Sequence, residues 1–165
     1  MTSSPDILVR DATIDDVPAI LGFIKELAEY EHLSHMVTST EADLREALFG
    51  RRPYAEAVVA FWRGEAAGFG LFFHNYSTFR GRPGIYIEDV YVRPSHRGRG
   101  LGKALLARIA AVAVERNCAR VEWSVLKWNE PSIRFYESLG AAPLEEWQMF
   151  RMTGDAISRL AAGNR

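Results

Sequence analysis

The most informative stretch of the sequence is Val92-Arg93-Pro94-Ser95-His96-Arg97-Gly98-Arg99-Gly100-Leu101-Gly102-Lys103. It lies between a predicted strand (85–92) and a predicted helix (101–116), where backbone N–H groups and a helix N-terminus converge on one point. Glycines let the backbone adopt positive φ and approach a ligand closely. Residues 97–102, called the glycine loop below, therefore predict an anion site. The alternative is a glycine-rich turn that only precedes a helix.

The spacing of these residues excludes two better-known phosphate loops. A P-loop requires glycine where this chain has Arg97, and Ser or Thr where it has Ala104. The dinucleotide-binding pattern G-x-G-x-x-G requires glycine where this chain has Lys103. What remains is Arg97-x-x-Gly100-x-Gly102, with Arg99 and Lys103 adding positive charge.

Hydrophobic periodicity around the loop predicts alternating strands and helices. A residue pattern typical of a capping box, Thr13 to Asp16, precedes a first helix, and a second helix begins at Thr40 and ends at Gly50. A polar helix is predicted at the C-terminus, and the stretch 75–84 is read as a polar connection. The other predicted helices span 101–116 and 131–139, and the predicted strands span 7–9, 55–62, 66–73, 85–92, 121–126 and 148–152.

This order predicts an α/β chain with a mixed sheet covered by helices on both faces. The 165 residues suit a single domain, 1–165, which can bury its own core. The chain has 20 basic and 21 acidic residues, and this balance argues against nucleic acid as a partner. One cysteine, Cys118, excludes an intrachain disulfide and is interpreted as structural.

The sequence also predicts an intracellular location. No apolar run approaches the roughly 20 residues that span a bilayer, so no membrane association is expected. The first residues, Met1–Pro5, lack the pattern of a signal peptide. The expected compartment is the cytoplasm.

Four blocks of the sequence together resemble a known family. Arg97-x-x-Gly100-x-Gly102 after a strand is similar to the coenzyme-A pyrophosphate signature of the GNAT acetyltransferase superfamily. More narrowly, the chain resembles the diamine (spermidine/spermine) acetyltransferases and their thialysine-acetylating relatives. Besides the glycine loop, the matching blocks are Leu27-Ala28-Glu29-Tyr30-Glu31, Tyr86-Ile87-Glu88-Asp89-Val90-Tyr91-Val92 and Trp128-Asn129-Glu130-Pro131-Ser132-Ile133-Arg134-Phe135-Tyr136.

The resemblance implies the GNAT fold, a twisted, mostly antiparallel mixed sheet flanked by helices, with acetyl-CoA as cosubstrate. The four histidines lack metal-ligand spacing, so no metal is expected. The resemblance also implies a homodimer and direct attack of an amine in a ternary complex. The residues that it implies for cofactor binding are Val90, Tyr91 and Val92 through their backbone, Arg97, Gly98, Arg99, Gly100, Leu101, Gly102 and Lys103 in and after the loop, and Asn129 and Ser132.

Acetyl transfer to an amine requires a neutral nucleophile, although an alkylamine has a pKa near 10.4. The resemblance implies Glu88 as the group that deprotonates the amine, acting through a water, and Tyr136 as the acid that protonates the departing thiolate. Glu88 is otherwise a salt-bridged strand carboxylate, and Tyr136 is otherwise a packed phenol. Side chains alternate along a strand, so Asp89 is expected to face away from Glu88 unless a bulge intervenes.

The expected acceptor is a small primary amine: a diamine, a polyamine or a thialysine-like amino acid. The candidate acceptor-binding residues are Tyr30, Glu31, Glu88, Glu122 and Glu146, with Glu145 beside the last. Where the diamine-specific relatives carry an acidic residue and a tryptophan, this chain has Ser77-Thr78-Phe79-Arg80. Arg80 is expected to repel a long polycation. The alternatives are a protein lysine or N-terminal acetyltransferase and a noncatalytic CoA-binding domain.

Overall fold

The computed structural model describes residues 6–163 and contains a five-stranded sheet in the order β1-β2-β3-β4-β5. The first three pairings are antiparallel, and β4 pairs with β5 in parallel. The predicted mixed, mostly antiparallel α/β architecture is therefore confirmed. In chain order the elements are β1 (Ile7–Asp11), α1 (Val17–Tyr30), α2 (Glu41–Phe49), β2 (Glu56–Trp62), β3 (Glu65–Ser77), β4 (Arg82–Val92), α3 (Leu101–Glu115), β5 (Val121–Trp123), α4 (Glu130–Ser138) and α5 (Asp155–Ala161).

Local sequence signals explain where the first two helices begin. The Asp16 carboxylate accepts a hydrogen bond from the Thr13 N–H at 2.7 Å, in a short turn that leads into α1. The Asp43 carboxylate accepts one from the Thr40 N–H at 2.8 Å at the start of α2. Each side chain satisfies a backbone donor that has no partner inside a helix. The predicted capping box at Thr13 and the predicted helix start at Thr40 are confirmed.

Each face of the sheet has its own hydrophobic core. On one face α3 packs against β2–β4, with Phe72, Ile87 and Leu105 almost fully buried. On the other face α1 and α2 pack against the same strands, and the Phe23 and Phe69 rings stack at 5.8 Å. Each large side chain buried in this way stabilises the fold by about 1.5–3 kcal/mol. The rigid sheet between these cores positions the end of β4.

Three features of the predicted secondary structure were wrong. The polar stretch 75–84 is mostly strand, because Ser77 is buried and pairs with Arg82, leaving a four-residue turn. β5 ends at Trp123, short of the predicted residue 126. The predicted strand at 148–152 is irregular, and no strand of residues 6–163 pairs with it. A strand without a partner leaves its backbone donors and acceptors unpaired, so alternation alone does not stabilise it.

The described chain divides into two compact units, one ending at Ser124 and one beginning at Val125. That residues 1–165 form a single domain stays a prediction. The expectation about a signal peptide concerns Met1–Pro5, which lie outside the described residues. Among residues 6–163, no helix combines the length and the apolar character needed to cross a membrane.

Candidate active site

A β-bulge interrupts β4 at Glu88. Leu71 of β3 pairs with Asp89 and Phe72 pairs with Ile87, so Glu88 has no partner on β3. An extra residue of this kind reverses the alternation of side chains that follow it. Ile87 accordingly packs on the α3 face, whereas Asp89 lies two residues before Tyr91, which packs on the α1 face. Asp89 therefore faces α1, close to the bulged Glu88.

Glu31 and Glu88 lie close enough to Asp89 to act on it electrostatically, and we call Glu31, Glu88 and Asp89 the carboxylate cluster. Burial raises the pKa of Asp89 to about 6, and the negative charges of Glu88 and Glu31 add to the effect. Burial also raises the pKa of Glu31, which directly follows the last residue of α1. Within residues 6–163, none of the three forms an ion pair with a basic side chain. A cationic ligand would lower the electrostatic cost of keeping them ionised.

Sequence reasoning missed Asp89 as a site residue. Strict alternation assigned it to the face opposite Glu88, and the sequence contains no direct sign of a bulge. The available signal was the adjacent acidic pair Glu88-Asp89 inside an otherwise apolar strand, because buried carboxylates are rare without a function.

Beyond the bulge, one edge of β4 is not covered by a strand. β5 pairs with β4 only from Ile85 to Ile87, and no other strand of the described residues continues that pairing. The backbone of Val90–Val92 therefore has a β3 partner on one side only. An extended ligand can add to such an edge through hydrogen bonds to the main chain. This arrangement supports the predicted backbone role of Val90, Tyr91 and Val92, which stays a prediction.

The glycine loop has the backbone geometry of an anion site. Gly98 and Gly100 adopt φ of 75° and 89°, and Gly100 caps the 15-residue helix α3. The first N–H groups of a helix have no partners within it and carry a partial positive charge. A Cβ on Gly98 would meet no atom within 4 Å, so the surface above the loop is open. These residues fit a diphosphate. The assignments of Leu101, Gly102 and Lys103 stay predictions.

The two arginines of the loop contact aromatic rings. The Arg97 guanidinium lies 4.9 Å from the ring centroid of Tyr30 and 5.6 Å from that of Tyr91. The Arg99 guanidinium lies 4.8 Å from the ring centroid of Trp62. Arg97 thus stacks on rings of α1 and β4, whereas Arg99 stacks on a ring of β2.

The second unit holds the remaining predicted cofactor and acid residues. The Asn129 side chain caps α4 by accepting a hydrogen bond from the Ser132 N–H at 3.4 Å, and Pro131 occupies the first turn. Tyr136 is partly buried in α4, and its ring lies 5.6 Å from that of Phe135. The catalytic role of Tyr136 and the cofactor contacts of Asn129 and Ser132 stay predictions.

Two other predicted acceptor-binding residues, Glu122 and Glu146, are not part of the carboxylate cluster. The Glu122 carboxylate forms an ion pair with Arg120 Nε at 2.5 Å and accepts a hydrogen bond from Asn75 Nδ2 at 3.3 Å. Its negative charge is therefore already paired. Glu146 is exposed in the second unit, as is its neighbour Glu145. Their roles in binding an acceptor stay predictions.

Arg80 lies in the β3–β4 turn, far from the carboxylate cluster of the same chain. β4 separates the turn from Asp89 by seven residues, from Arg82 onward, which at about 3.3 Å per residue is roughly 20 Å. Neighbouring Phe79 is 99% exposed. Within one chain, Arg80 therefore cannot repel an amine at the cluster by direct contact.

Comparisons with known proteins identify relatives of this chain. The chain matches the sequence profile of the acetyltransferase (GNAT) family over residues 21–141. It is 39% identical to the thialysine N-epsilon-acetyltransferase of Bos taurus, over 94% of this chain and 97% of that one. It is 33% identical to the L-ornithine N5-acetyltransferase of Arabidopsis thaliana, over 92% of this chain and 86% of that one.

The fold also has a counterpart among solved structures. A crystal structure of an aminoglycoside acetyltransferase from an uncultured soil metagenomic sample superposes with a TM-score of 0.76 and 18% identity. The match covers 90% of this chain and 96% of that one. No group of three or more side chains suited to a metal ion occurs within residues 6–163.

Proposed function

The chain belongs to the acetyltransferase (GNAT) family, and we propose that it acetylates a small primary amine by direct attack while both substrates are bound. Membership makes it an acetyl-CoA-dependent N-acetyltransferase. The acceptor class and the mechanism are the proposal. Its first candidate acceptors are amino acids with an amine at the end of the side chain, since the relatives include thialysine and L-ornithine acetyltransferases.

The observation that carries the proposal is the unpaired negative charge beside the uncovered edge of β4. Asp89, in the carboxylate cluster, directly precedes the backbone of Val90–Val92 on the same strand. A protonated amine is attracted to three carboxylates that pair with no basic side chain among the described residues. A neutral or anionic acceptor has no such attraction. The charge of the cluster therefore favours a cationic amine over a hydroxyl or a carboxylate.

The same cluster can remove the proton of the amine. An effective general base has a pKa near the working pH, and the pKa of Asp89, about 6, satisfies this condition. Glu88, exposed at the bulge, is the predicted base and reaches solvent. We propose that the Glu88–Asp89 pair accepts the proton of the amine. Tyr30, at the end of α1, and the adjacent Glu31 orient the amine.

The glycine loop and the edge of β4 hold the cosubstrate in this proposal. Acetyl-CoA supplies the acetyl group as a thioester. Backbone N–H groups at Gly98, Gly100 and the start of α3 bind its diphosphate, and the backbone of Val90–Val92 binds its extended arm. Asn129 and Ser132 contribute further contacts from the second unit.

Tyr136 is proposed to give a proton to the departing thiolate. Tyr136→Phe removes the hydroxyl and keeps the ring, so we expect kcat to fall about 100-fold with little change in acetyl-CoA affinity. The matched control is Tyr54→Phe, because Tyr54 is strongly exposed in a loop before β2. Equal turnover of Tyr136→Phe and wild type at neutral and alkaline pH would remove the assignment.

A panel of acceptors tests the proposed substrate class. Purified enzyme with acetyl-CoA is assayed for thiol release on thialysine, ornithine, lysine, putrescine, spermidine and a lysine-containing peptide, and each product is identified by mass spectrometry. We expect the highest kcat/KM on a small primary amine. Acetylation of the peptide alone, or thiol release without turnover of any amine, would overturn the proposal.

A cytoplasmic homodimer completes the proposal. The second unit exposes large apolar side chains, among them Trp147, Met149 and Phe150, of which Phe150 is 88% exposed. Exposed apolar side chains that form a patch commonly mark a protein interface. Light scattering on the purified protein is expected to give twice the mass of one chain, and a monomer at all concentrations would contradict it.

A further inference from the structure

Arg97 contacts both sides of the candidate site. It belongs to the glycine loop, and its Nε donates a hydrogen bond to the Val92 carbonyl at 2.9 Å. The same guanidinium stacks over the rings of Tyr30 and Tyr91, at 4.9 and 5.6 Å from their centroids. Its charge is therefore directed towards α1 and β4.

Both rings are close in sequence to the carboxylate cluster. Tyr30 is the last residue of α1 and directly precedes Glu31, while Tyr91 follows Asp89 by two residues on the same face of β4. Both tyrosines also line one open groove of about 480 Å³, together with Pro94 and Ser95 from the segment that leads into the loop. The end of α1 and the approach to the loop thus lie side by side.

We propose that Arg97 is a positioning residue that couples binding at the glycine loop to binding at the carboxylate cluster. This inference rests on the proposed function, since it assigns an anion to the loop and an amine to the cluster. A diphosphate on the loop attracts the guanidinium and orders it. The ordered guanidinium holds Tyr30, and with it Glu31, in place. An amine then binds a cluster that has already lost part of its freedom.

The contacts of Arg97 set the expected size of the coupling. A stack of Arg on an aromatic ring is a weak interaction at exposed sites, and Arg97 makes two such stacks. We therefore expect a change of roughly fivefold in the affinity for one ligand when the other is bound, at the low end of the usual range for coupled sites. Coupling between binding sites is reciprocal, so the same factor is expected in both directions.

Arg99 provides a matched control in the same loop. Its guanidinium stacks on Trp62, at the end of β2, whose ring packs against the core beneath α3. Trp62 lies on the opposite side of the sheet from Tyr91 and has no neighbour in the cluster. Loss of Arg99 removes an equal positive charge from the loop and leaves the link to α1 intact.

Calorimetry measures the coupling directly. The affinity for thialysine is determined with and without saturating free coenzyme A in wild type, Arg97→Met and Arg99→Met. We expect coenzyme A to tighten thialysine binding about fivefold in wild type and in Arg99→Met, and by less than twofold in Arg97→Met. Equal coupling in all three proteins would overturn the inference. Arg97→Lys keeps the charge without the planar stack, and it replaces Arg97→Met if that variant does not fold.

A second measurement does not depend on the acceptor. Coenzyme A alone is expected to slow hydrogen exchange of the Glu31 and Leu33 amides, which donate to Leu27 and Ala28 of α1, in wild type but not in Arg97→Met. If thialysine does not bind but this protection is seen, the proposed acceptor is wrong and the coupling stands. If thialysine binds and neither coupling nor protection is seen, the acceptor stands and the coupling is wrong.

Discussion

The glycine loop and the carboxylate cluster both belong to the end of β4, but they obtain their chemistry in different ways. The loop is proposed to act through its backbone: Gly98 and Gly100 hold positive φ, and the first N–H groups of α3 carry partial positive charge. The cluster is proposed to act through side chains from two elements, Glu31 after α1 and Glu88 and Asp89 on β4. A local segment builds the first, whereas the second requires a bulge and a packed helix.

This difference has consequences for mutation. A backbone site is sensitive to a methyl group at one glycine and tolerates changes of many side chains. A carboxylate site is sensitive to the loss of charge, to pH and to anything that moves one element relative to the other. Three of the four experiments below change one of the two regions, and the fourth changes the distant β3–β4 turn.

The largest effect is expected when the cluster loses both of its β4 carboxylates. In Glu88→Gln/Asp89→Asn, kcat/KM for the amine should fall about 100-fold or more, because general base catalysis contributes about 10²–10⁴. The dissociation constant of coenzyme A should stay within twofold of wild type. Glu41→Gln, a surface carboxylate of α2, is the matched control. A loss of coenzyme A affinity as large as the loss of turnover would show that the two regions are not separate.

A methyl group in the glycine loop should lower coenzyme A affinity, which the change in the carboxylate cluster leaves intact. Gly100→Ala places a Cβ on a residue with φ of 89°, which costs about 1–2 kcal/mol, and it is expected to move the backbone N–H groups that we propose bind the diphosphate. We expect coenzyme A affinity to fall about tenfold by calorimetry. Gly64→Ala carries the same strain, at φ of 84°, in the β2–β3 turn. Gly64→Ala should lower stability as much as Gly100→Ala does but leave coenzyme A affinity unchanged. Equal losses of affinity in both variants would contradict a diphosphate site at the glycine loop.

The raised pKa of Asp89 predicts how pH changes activity and stability. Its folded-state pKa of about 6 lies above its ordinary value of 3.8, so the folded state binds the proton more tightly than the unfolded state. The free energy of unfolding therefore rises as pH falls from about 6 to 4. At neutral pH, ionised Asp89 lowers this free energy by about 2–3 kcal/mol. kcat/KM changes in the other direction and should decline as pH falls through 6.

Asp89→Asn tests both halves of this prediction. Urea unfolding at pH 8 should show the variant to be more stable than wild type by up to about 2 kcal/mol, and the difference should shrink by pH 4. The decline of kcat/KM near pH 6 should disappear from the little activity that remains. A variant that is less stable than wild type at pH 8 would show that the Asp89 carboxylate makes a favourable interaction.

The smallest effect is expected in the β3–β4 turn. Arg80→Ala removes a charge that lies roughly 20 Å from the cluster along β4, beyond the range of strong interaction in physiological salt. The ratio of kcat/KM for spermidine to that for thialysine should therefore change by less than twofold. A tenfold change in this ratio would indicate that Arg80 lies at the acceptor site. That Arg80 would then have to come from a second copy of the chain.

Much of the fold could be predicted because its signals are local. Thr13 and Thr40 cap their helices through residues three positions later, and Arg63 and Gly64 turn β2 into β3 with positive φ. The glycine loop was found for the same reason. The strand predicted at 148–152 was wrong because a strand depends on a partner, which alternation of side chains does not reveal. The roles of Tyr136, Asn129 and Ser132 stay predictions.

The sequence by itself determined the alternation of strands and helices, the position of the glycine loop and the family to which the chain belongs. These properties depend on φ preferences, caps and hydrophobic periods that each span a few residues. Tertiary structure decided that Asp89 faces α1, that Glu31 lies near it and that Arg97 stacks on Tyr30. One extra residue in the β4 pairing reverses every later side chain, and the register that places it is fixed only when β3 and α1 pack against the strand.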